Sequence, residues 1–567
     1  MPTSYSDKFG IWFPQLGFVF PLMVFTGLRL GIGTAVSSYL RLHKEEAKEE
    51  AKEEPKEEPK EEAKEEPKEE AKKEAKEEAK KEVKEEVKKK VKEEVKKEVE
   101  DRISALTNEI LCSILSRLDT KDAVRTSVLC SRWRNLYLFL PSYSFGCPCV
   151  VMFPFCLCSC TAEYKILTVM DRFFQIHRRA GCEKIKSFRL SFCVKTDFTC
   201  HIERWVHHLA GLGVEELTLK LCYQGEKITV PLQKLVCKAA TCRLTLLHLT
   251  ASNMELEPFN PQQQFKYLTS IKLIFIDSVD VQSILSSCPK LESLSLEYCC
   301  LSSNEFIVEG KHLELKSLTI FKCNGKEVEE IYLCAENLLT LKLGLYSDLA
   351  LKFSHPSHLP KLQHVSLEVV YNGHLLQIIS WVAQDCSQVE SFCVESWSRT
   401  SHVAYGLPLK VPTFSRLRQL DIRMEFNDLF DVTQIADLII HCPLLQIMHL
   451  VGRERRTPPR PLGARSLSPR SHLHLHLKEV EFGGFYGFDN EISVVLYILN
   501  SALALERMVL RRDSRYTAIF NKSKGYQELS WCQESQRTSK FDESKSQVIH
   551  QQLRGQAASP TVQLLVI

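Results

Sequence analysis

Leu291-Glu-Ser-Leu294-Ser-Leu296 is followed by Leu315-Lys-Ser-Leu318-Thr-Ile320 and then by Leu338-Leu-Thr-Leu341-Lys-Leu343. Each segment is apolar at its first, fourth and sixth places. The same pattern starts at 185, 214, 244, 268, 291, 315, 338, 362, 389, 417, 445, 477 and 505, in steps of 23 to 32 residues. Alternation at the fourth and sixth places reads as a strand with one buried face. A unit of this size cannot cover its own apolar face, so neighbours stack into a solenoid whose other face is an extended binding surface. The bulk of the chain is built to hold something.

Working outward, composition fits that reading. The 567 residues exceed one compact core. Net charge is +3 and 44% of residues are hydrophobic, which points to no polyanion partner, so no nucleic acid is expected. The charge is uneven: Lys44 to Glu100 holds 19 Lys and 24 Glu. This stretch repeats Lys-Glu-Glu-x with a period of four, so its small apolar residues drift around a helix and make no coiled-coil seam. It reads as a spacer, disordered or helical. Between Arg453 and Arg470 lie six arginines and four prolines, which read as a basic surface loop.

Residues 1–43 are an apolar leader. Phe9 to Leu28 carries no charge and is about as long as a membrane-spanning helix, which makes 9–28 a candidate transmembrane segment. Arg29, Arg41 and Lys44 behind it would leave the rest of the chain on the cytosolic side. The 22 cysteines are scattered, many beside repeat leucines (Cys299, Cys300, Cys323, Cys393), and read as small reduced core residues. Cys147, Cys149, Cys156, Cys158 and Cys160 are spaced too tightly for a zinc site, so no metal is expected. His472, His474 and His476 alternate as solvated strand positions. No phosphate-binding glycine loop, His-Glu metal motif or nucleophile elbow is present, so the reading is non-catalytic, with no cofactor.

The segment Asp101-Arg-Ile-Ser-Ala-Leu-Thr-Asn-Glu-Ile-Leu-Cys-Ser-Ile-Leu-Ser-Arg-Leu-Asp-Thr-Lys-Asp-Ala-Val-Arg-Thr-Ser-Val-Leu-Cys-Ser-Arg-Trp-Arg stands apart. Ile110, Leu111, Ile114, Leu115 and Leu118 recur at helical spacing, with Thr107 or Asn108 able to cap the start. Asp119-Thr120 stops that helix and can cap a second, in which Ala123, Val124, Val128 and Leu129 are expected to point inward. A third carries Trp133, Leu136 and Tyr137. About 40 residues cannot bury this much apolar surface against themselves, and a helix-in-groove partner would cover the excess. Capping the first repeat is the alternative use of the same unit.

This segment resembles an F-box of the plant type, residue by residue at Asp101–Ser104, Leu106, Glu109–Leu111, Thr120–Leu129 and Arg132–Asn135. It departs in having Thr107-Asn108 for the usual Pro-Asp, and Cys130 for Ser. The repeats resemble those of plant F-box/leucine-rich-repeat proteins, and Leu477 to Leu510 resembles the FBD-type module that ends many of them. The expected fold is therefore a small all-α F-box (101–145) followed by an α/β, horseshoe-like leucine-rich-repeat solenoid (160–476). A terminal module (477–512) and a polar, dispensable tail (513–567) follow.

The resemblance implies the substrate-recognition subunit of a Skp–cullin–F-box ubiquitin ligase, cytoplasmic or nuclear. Leu106, Ile110, Leu111, Ile114, Leu115, Leu118, Val128, Leu129 and Trp133 would bind the Skp-type adaptor and, through it, cullin. The repeats would hold an unknown protein substrate. Residues facing away from the repeat leucines include Ser295, Glu297, Thr319, Lys342, Ser366, Glu368 and Asp421, with Phe321 and Arg423 the candidate anchors, because aromatics and arginines carry most interface energy. Alternatives are a membrane-anchored leucine-rich-repeat scaffold and an F-box protein acting outside ubiquitination.

Overall fold

The computed structural model describes residues 106–146, 163–512 apart from loops between repeats (the longest 397–412 and 453–471), and 541–567. The leader with its 9–28 segment, the Lys/Glu spacer, the 147–160 cysteine cluster and the basic loop lie outside the described residues. No helix among the described residues is long and apolar enough to cross a membrane.

The repeats build a parallel sheet of 17 strands. Fifteen form one continuous ladder. They are β1 (Ser142–Gly146), β2 (Ser187–Val194), β3 (Glu216–Tyr223), β4 (Leu246–Leu256), β5 (Ser270–Asp277), β6 (Ser293–Glu297), β7 (Ser317–Gly325) and β8 (Thr340–Tyr346). Then follow β9 (His364–Val369), β10 (Ser391–Ser396), β11 (Gln419–Met424), β12 (Ile447–Gly452), β13 (Glu479–Gly483), β14 (Arg507–Arg511) and β15 (Gln563–Val566). All thirteen expected repeat starts are core residues, none more than 5% exposed. In register, Leu294, Leu318, Leu341 and Val365 stack across β6 to β9. Each such leucine stabilises by about 1.5–3 kcal/mol of burial. The turn before each strand is tied to the preceding repeat: Glu292 and Ser293 N–H both donate to Thr269 C=O, at 2.8 and 2.9 Å.

On the core side lie the helices α3 (Glu163–Ala180), α4 (Thr199–Gly211), α5 (Val281–Ser287), α6 (Leu375–Asp385), α7 (Gln434–Ile440) and α8 (Asp489–Ser501), with two more, α1 (Asn108–Leu115) and α2 (Thr120–Arg125), in the unit ahead of them. In the middle repeats short strands replace them: Glu305–Glu309, Glu330–Cys334 and Lys352–Phe353 form a second, three-stranded parallel sheet. Buried Cys299 and Cys323 donate their thiols to Leu273 and Leu296 C=O, each at 3.4 Å, which explains cysteine beside the leucines. The cysteines whose side chains are described are free.

The ladder corrects the expectation at both ends. β1 adds a rung before the first repeat, paired to β2 from Ser142↔Ser187 to Gly146↔Ser191. The terminal module has the expected strand–helix–strand form, β13–α8–β14, but it does not close the stack. The polar-tail expectation is overturned for 541–567. Helix α9 (Glu543–Leu553) buries Ile549 and Leu553, and β15 pairs with β14. The tail reads as polar because only one narrow stripe of it is apolar; Ser559 Oγ donates to Leu505 C=O at 2.7 Å and Ile567 N–H to Leu510 C=O at 2.8 Å.

Two local features hold the terminal module. Gly484 sits at φ +69°, where a Cβ would lie 2.1 Å from Gly452 C=O, so no other residue fits. Glu491, fully buried, accepts from the Tyr486, Gly487 and Phe488 N–H groups at 2.8, 2.8 and 3.1 Å, satisfying orphan donors ahead of α8.

Candidate functional site

The N-terminal unit folds as α1 (Asn108–Leu115), α2 (Thr120–Arg125) and two 3₁₀ segments, Thr126–Val128 and Trp133–Phe139. Asp119 caps α2, its carboxylate accepting from Asp122 N–H at 2.7 Å. Thr107 holds the N-cap position of α1 without a side-chain cap bond, and Asn108 is used elsewhere, accepting from Arg132 Nε at 2.9 Å. Arg132 also donates to Leu106 C=O, so the start of α1 is tied to the third segment.

This folding divides the nine residues expected to meet an adaptor. Leu111, Leu115 and Trp133 are buried at 0, 0 and 6% exposure, and they form the core of the unit with Ala123 and Leu136. Leu106 is half-buried against the same core. Ile110, Ile114 and Leu118 are 47, 43 and 44% exposed, and Val128 and Leu129 reach 85 and 65%. The expectation that Val124, Val128 and Leu129 point inward is corrected: Val124 is 39% exposed, and only Ala123 of that group turns in. The 3₁₀ winding after Arg125 explains this, because it turns Val128 and Leu129 off the core-facing stripe of α2. Phe139, 62% exposed, was not singled out from the sequence. The result is a run of outward-facing aliphatic side chains along α1 and the chain after α2.

The unit is fastened to the solenoid. Thr120 Oγ1, buried, accepts from Ser144 N–H of β1 at 2.7 Å. Tyr143 donates its hydroxyl to Tyr137 C=O at 2.9 Å and lies 3.0 Å from His177 Nε2 of α3. The His177 ring packs on Phe173, and burial pushes its pKa below the usual imidazole value.

Along the solenoid, the sheet face turned away from the core carries two rows of side chains. One row runs Arg189, Thr218, His248, Lys272, Ser295, Thr319 and Lys342, each the ladder neighbour of the next. It continues through Ser366, Cys393, Asp421, His449 and Glu481. The second row holds Lys220, Glu297, Phe321, Gly344, Glu368, Glu395, Arg423 and Arg511.

Nearby strands answer most of these charges. Lys272 meets Glu297 at 2.7 Å, Lys322 meets Glu368 at 3.3 Å, and Arg423 meets Glu395 at 3.6 Å. His449 meets Asp421 at 2.5 Å, Arg507 meets Glu479 at 2.7 Å, and Arg511 meets Glu481 at 2.7 Å. Glu368, beside Glu395, is pushed above the usual carboxylate range by burial, against which the Lys322 ammonium works. The two sequence-predicted anchors are therefore engaged within the chain: Arg423 with Glu395, and Phe321 under the ammonium groups of Lys342 and Lys322, 4.5 and 4.9 Å from its ring centre.

A feature the sequence did not announce lies beside them. Phe275, Tyr298 and Lys322 occupy the same place in three successive repeats, two residues past the last core leucine or isoleucine, all with left-handed backbone (φ 59, 55 and 52°). The rings of Phe275 and Tyr298 stack, centres 4.8 Å apart.

Further placements concern the histidines and the buried cysteines of the array. The expectation of three solvated strand positions is corrected: His474 is buried, 3.3 Å from Tyr497 Oη, with burial pushing its pKa down to about 4, while His472 and His476 are exposed, and none of the three lies in a ladder strand. The His449–Asp421 pair has Cys393 on the far side of Asp421, two strands from the imidazole, and burial pushes that thiol up to about 12. No group of three or more metal-ligating side chains occurs among the described residues.

A model of the F-box domain matches residues 103–136, and the At1g61320/AtMIF1 leucine-rich-repeat domain model matches residues 174–567. The F-box/FBD/LRR-repeat protein At1g13570 of Arabidopsis thaliana is 35% identical over 203 residues, 35% of this chain and 44% of that protein. The F-box/FBD/LRR-repeat protein At5g56420 of the same plant is 24% identical over 423 residues, 72% of this chain and 91% of its own length. With an outward-facing apolar F-box joined to a leucine-rich-repeat ladder that runs to residue 566, the chain belongs to the plant F-box/leucine-rich-repeat family.

Proposed function

We propose that this protein is the substrate-recognition subunit of a Skp–cullin–F-box ubiquitin ligase. The F-box would hold the Skp-type adaptor, the ladder would hold a protein substrate, and other subunits would supply the chemistry. The observation that carries the reading is the aliphatic run Ile110, Ile114, Leu118, Val128 and Leu129. These side chains stay 43 to 85% exposed although the unit has a core of its own. Monomeric soluble proteins rarely leave contiguous large aliphatics in water, so the run is best understood as a covered interface. Its spacing along α1 suits a helix-in-groove partner.

Docking is therefore assigned to the exposed residues, while Leu111, Leu115 and Trp133 support them from beneath. The test is co-purification of the full chain with a Skp-type adaptor. Wild type should be retained, and Ile114→Asp with Leu118→Asp should be lost while its circular dichroism and melting curve stay those of wild type. Retention of that folded variant at wild-type level would refute the docking surface.

A further inference from the structure

From β5 to β14 the face turned away from the core pairs its charges across adjacent or next-but-one strands, at 2.5 to 3.6 Å. The first rungs break that rule. Arg189 on β2 is exposed, Lys220 on β3 is half-buried, and neither has an ion-pair partner among the described residues. Lys272 on β5 has its single ion-pair partner among the described residues, Glu297, on the side away from them. The ladder register places the three close together: Arg189 is level with Thr218, Thr218 with His248, and His248 with Lys272, while Lys220 is level with Thr250. Adjacent strands lie about 4.8 Å apart, so the four strands span only ~15 Å.

The two central rows of these strands hold no carboxylate. Glu216 stands at the start of β3 without an ion pair among the described residues, and Glu255 is taken by Lys227 at 2.7 Å. His248, in the midst of the cluster, is pushed down to about 4, first by burial and then by Lys220, Lys272 and Arg189. At the other end, His449 is pushed up: burial opposes this, but the Asp421 hydrogen bond and charge outweigh it. The two histidines hold the same row of the ladder, so they register opposite fields at its two ends.

Like charges gathered on neighbouring strands destabilise a sheet unless something outside answers them. We infer that the open face of the first four repeat strands, β2 to β5, holds an acidic stretch of the bound protein, its carboxylates meeting Arg189, Lys220 and Lys272. This names the chemistry of the substrate in the reading above and rests on that reading. Because β2 is bonded to β1 and β1 to the F-box, the acidic anchor would sit at the adaptor-proximal end of the solenoid.

The experiment uses the full chain bound to its adaptor and, as probe, a fluorescent peptide of alternating Asp and Glu. Anisotropy should report binding that weakens as salt rises. Arg189→Gln with Lys220→Gln should weaken it about 10-fold, since each removed contact acts on a matched charge. Lys290→Gln with Lys545→Gln, an equal charge change at exposed positions elsewhere, should leave it unchanged. Equal loss in both doubles would reduce the effect to net charge and overturn the inference. So would failure of the peptide to bind wild type, or tighter binding of a single-stranded oligonucleotide of the same charge. Adaptor retention, scored in the same samples, separates the two claims. A wild-type chain that fails to hold the adaptor refutes the receptor reading, and a chain that holds adaptor but not peptide refutes only the acidic anchor.

Discussion

Leu115 ends α1, Leu118 follows it by three residues, and the two have opposite duties. Leu115 is fully buried, so Leu115→Ala should cost about 2–5 kcal/mol through lost burial and the cavity left behind. Leu118 is 44% exposed, so Leu118→Ala should leave the melting temperature within about 2 °C of wild type and weaken adaptor binding instead. Denaturant titration and calorimetric binding on the same two variants check the division.

The buried histidines give a second residue-scale prediction. His449 has a folded pKa above its ordinary 6.5, so the Asp421 pair contributes its full stability below pH 6.5 and loses it as pH rises through the folded value. The melting-temperature gap between wild type and Asp421→Asn should therefore be widest below pH 6.5 and narrow above it. His474 runs the other way: with a folded pKa of about 4, its stability is present above 6.5 and lost as pH falls toward 4. A gap that widens with rising pH would contradict the His449–Asp421 assignment.

At the scale of elements, the repeat strands were legible because their evidence is redundant. Three apolar places recur thirteen times, and one irregular repeat does not hide the rest. Which F-box leucines face inward was not legible. Helical spacing alone puts Leu111 and Leu115 on the same broad stripe as Ile110, Ile114 and Leu118; only the packing of Trp133 and Leu136 divides it. The 3₁₀ turn at Thr126–Val128, which exposes Val128 and Leu129, leaves no mark in the apolar pattern. The closing segment was missed for a related reason. Ile549, Leu553, Leu564 and Val566 are too few and too far apart to show a period, yet they complete the stack. Ile549→Ala should consequently cost about 2–5 kcal/mol, and a chain ending at Arg512 should melt lower and aggregate. A fragment 102–512 that melts with the full chain would return the tail to its expected dispensable state. Gly484→Ala should be worse than either, because φ +69° and the Gly452 carbonyl 2.1 Å from the added carbon leave no relaxed position.

Over the whole molecule, the proposed division of labour runs along one continuous ladder, adaptor at the F-box and substrate on the open sheet face. The Thr120–Ser144 and Tyr137–Tyr143–His177 contacts tie the two parts, so adaptor binding should reach the substrate face as fixed placement and not as rearrangement. Amide hydrogen exchange of the full chain, alone and saturated with a Skp-type adaptor, tests this most directly. Protection should rise across residues 108–139 and remain unchanged in the strands from 187 to 511. Protection centred on those strands, or none at 108–139 in a complex shown to have formed, would contradict the account.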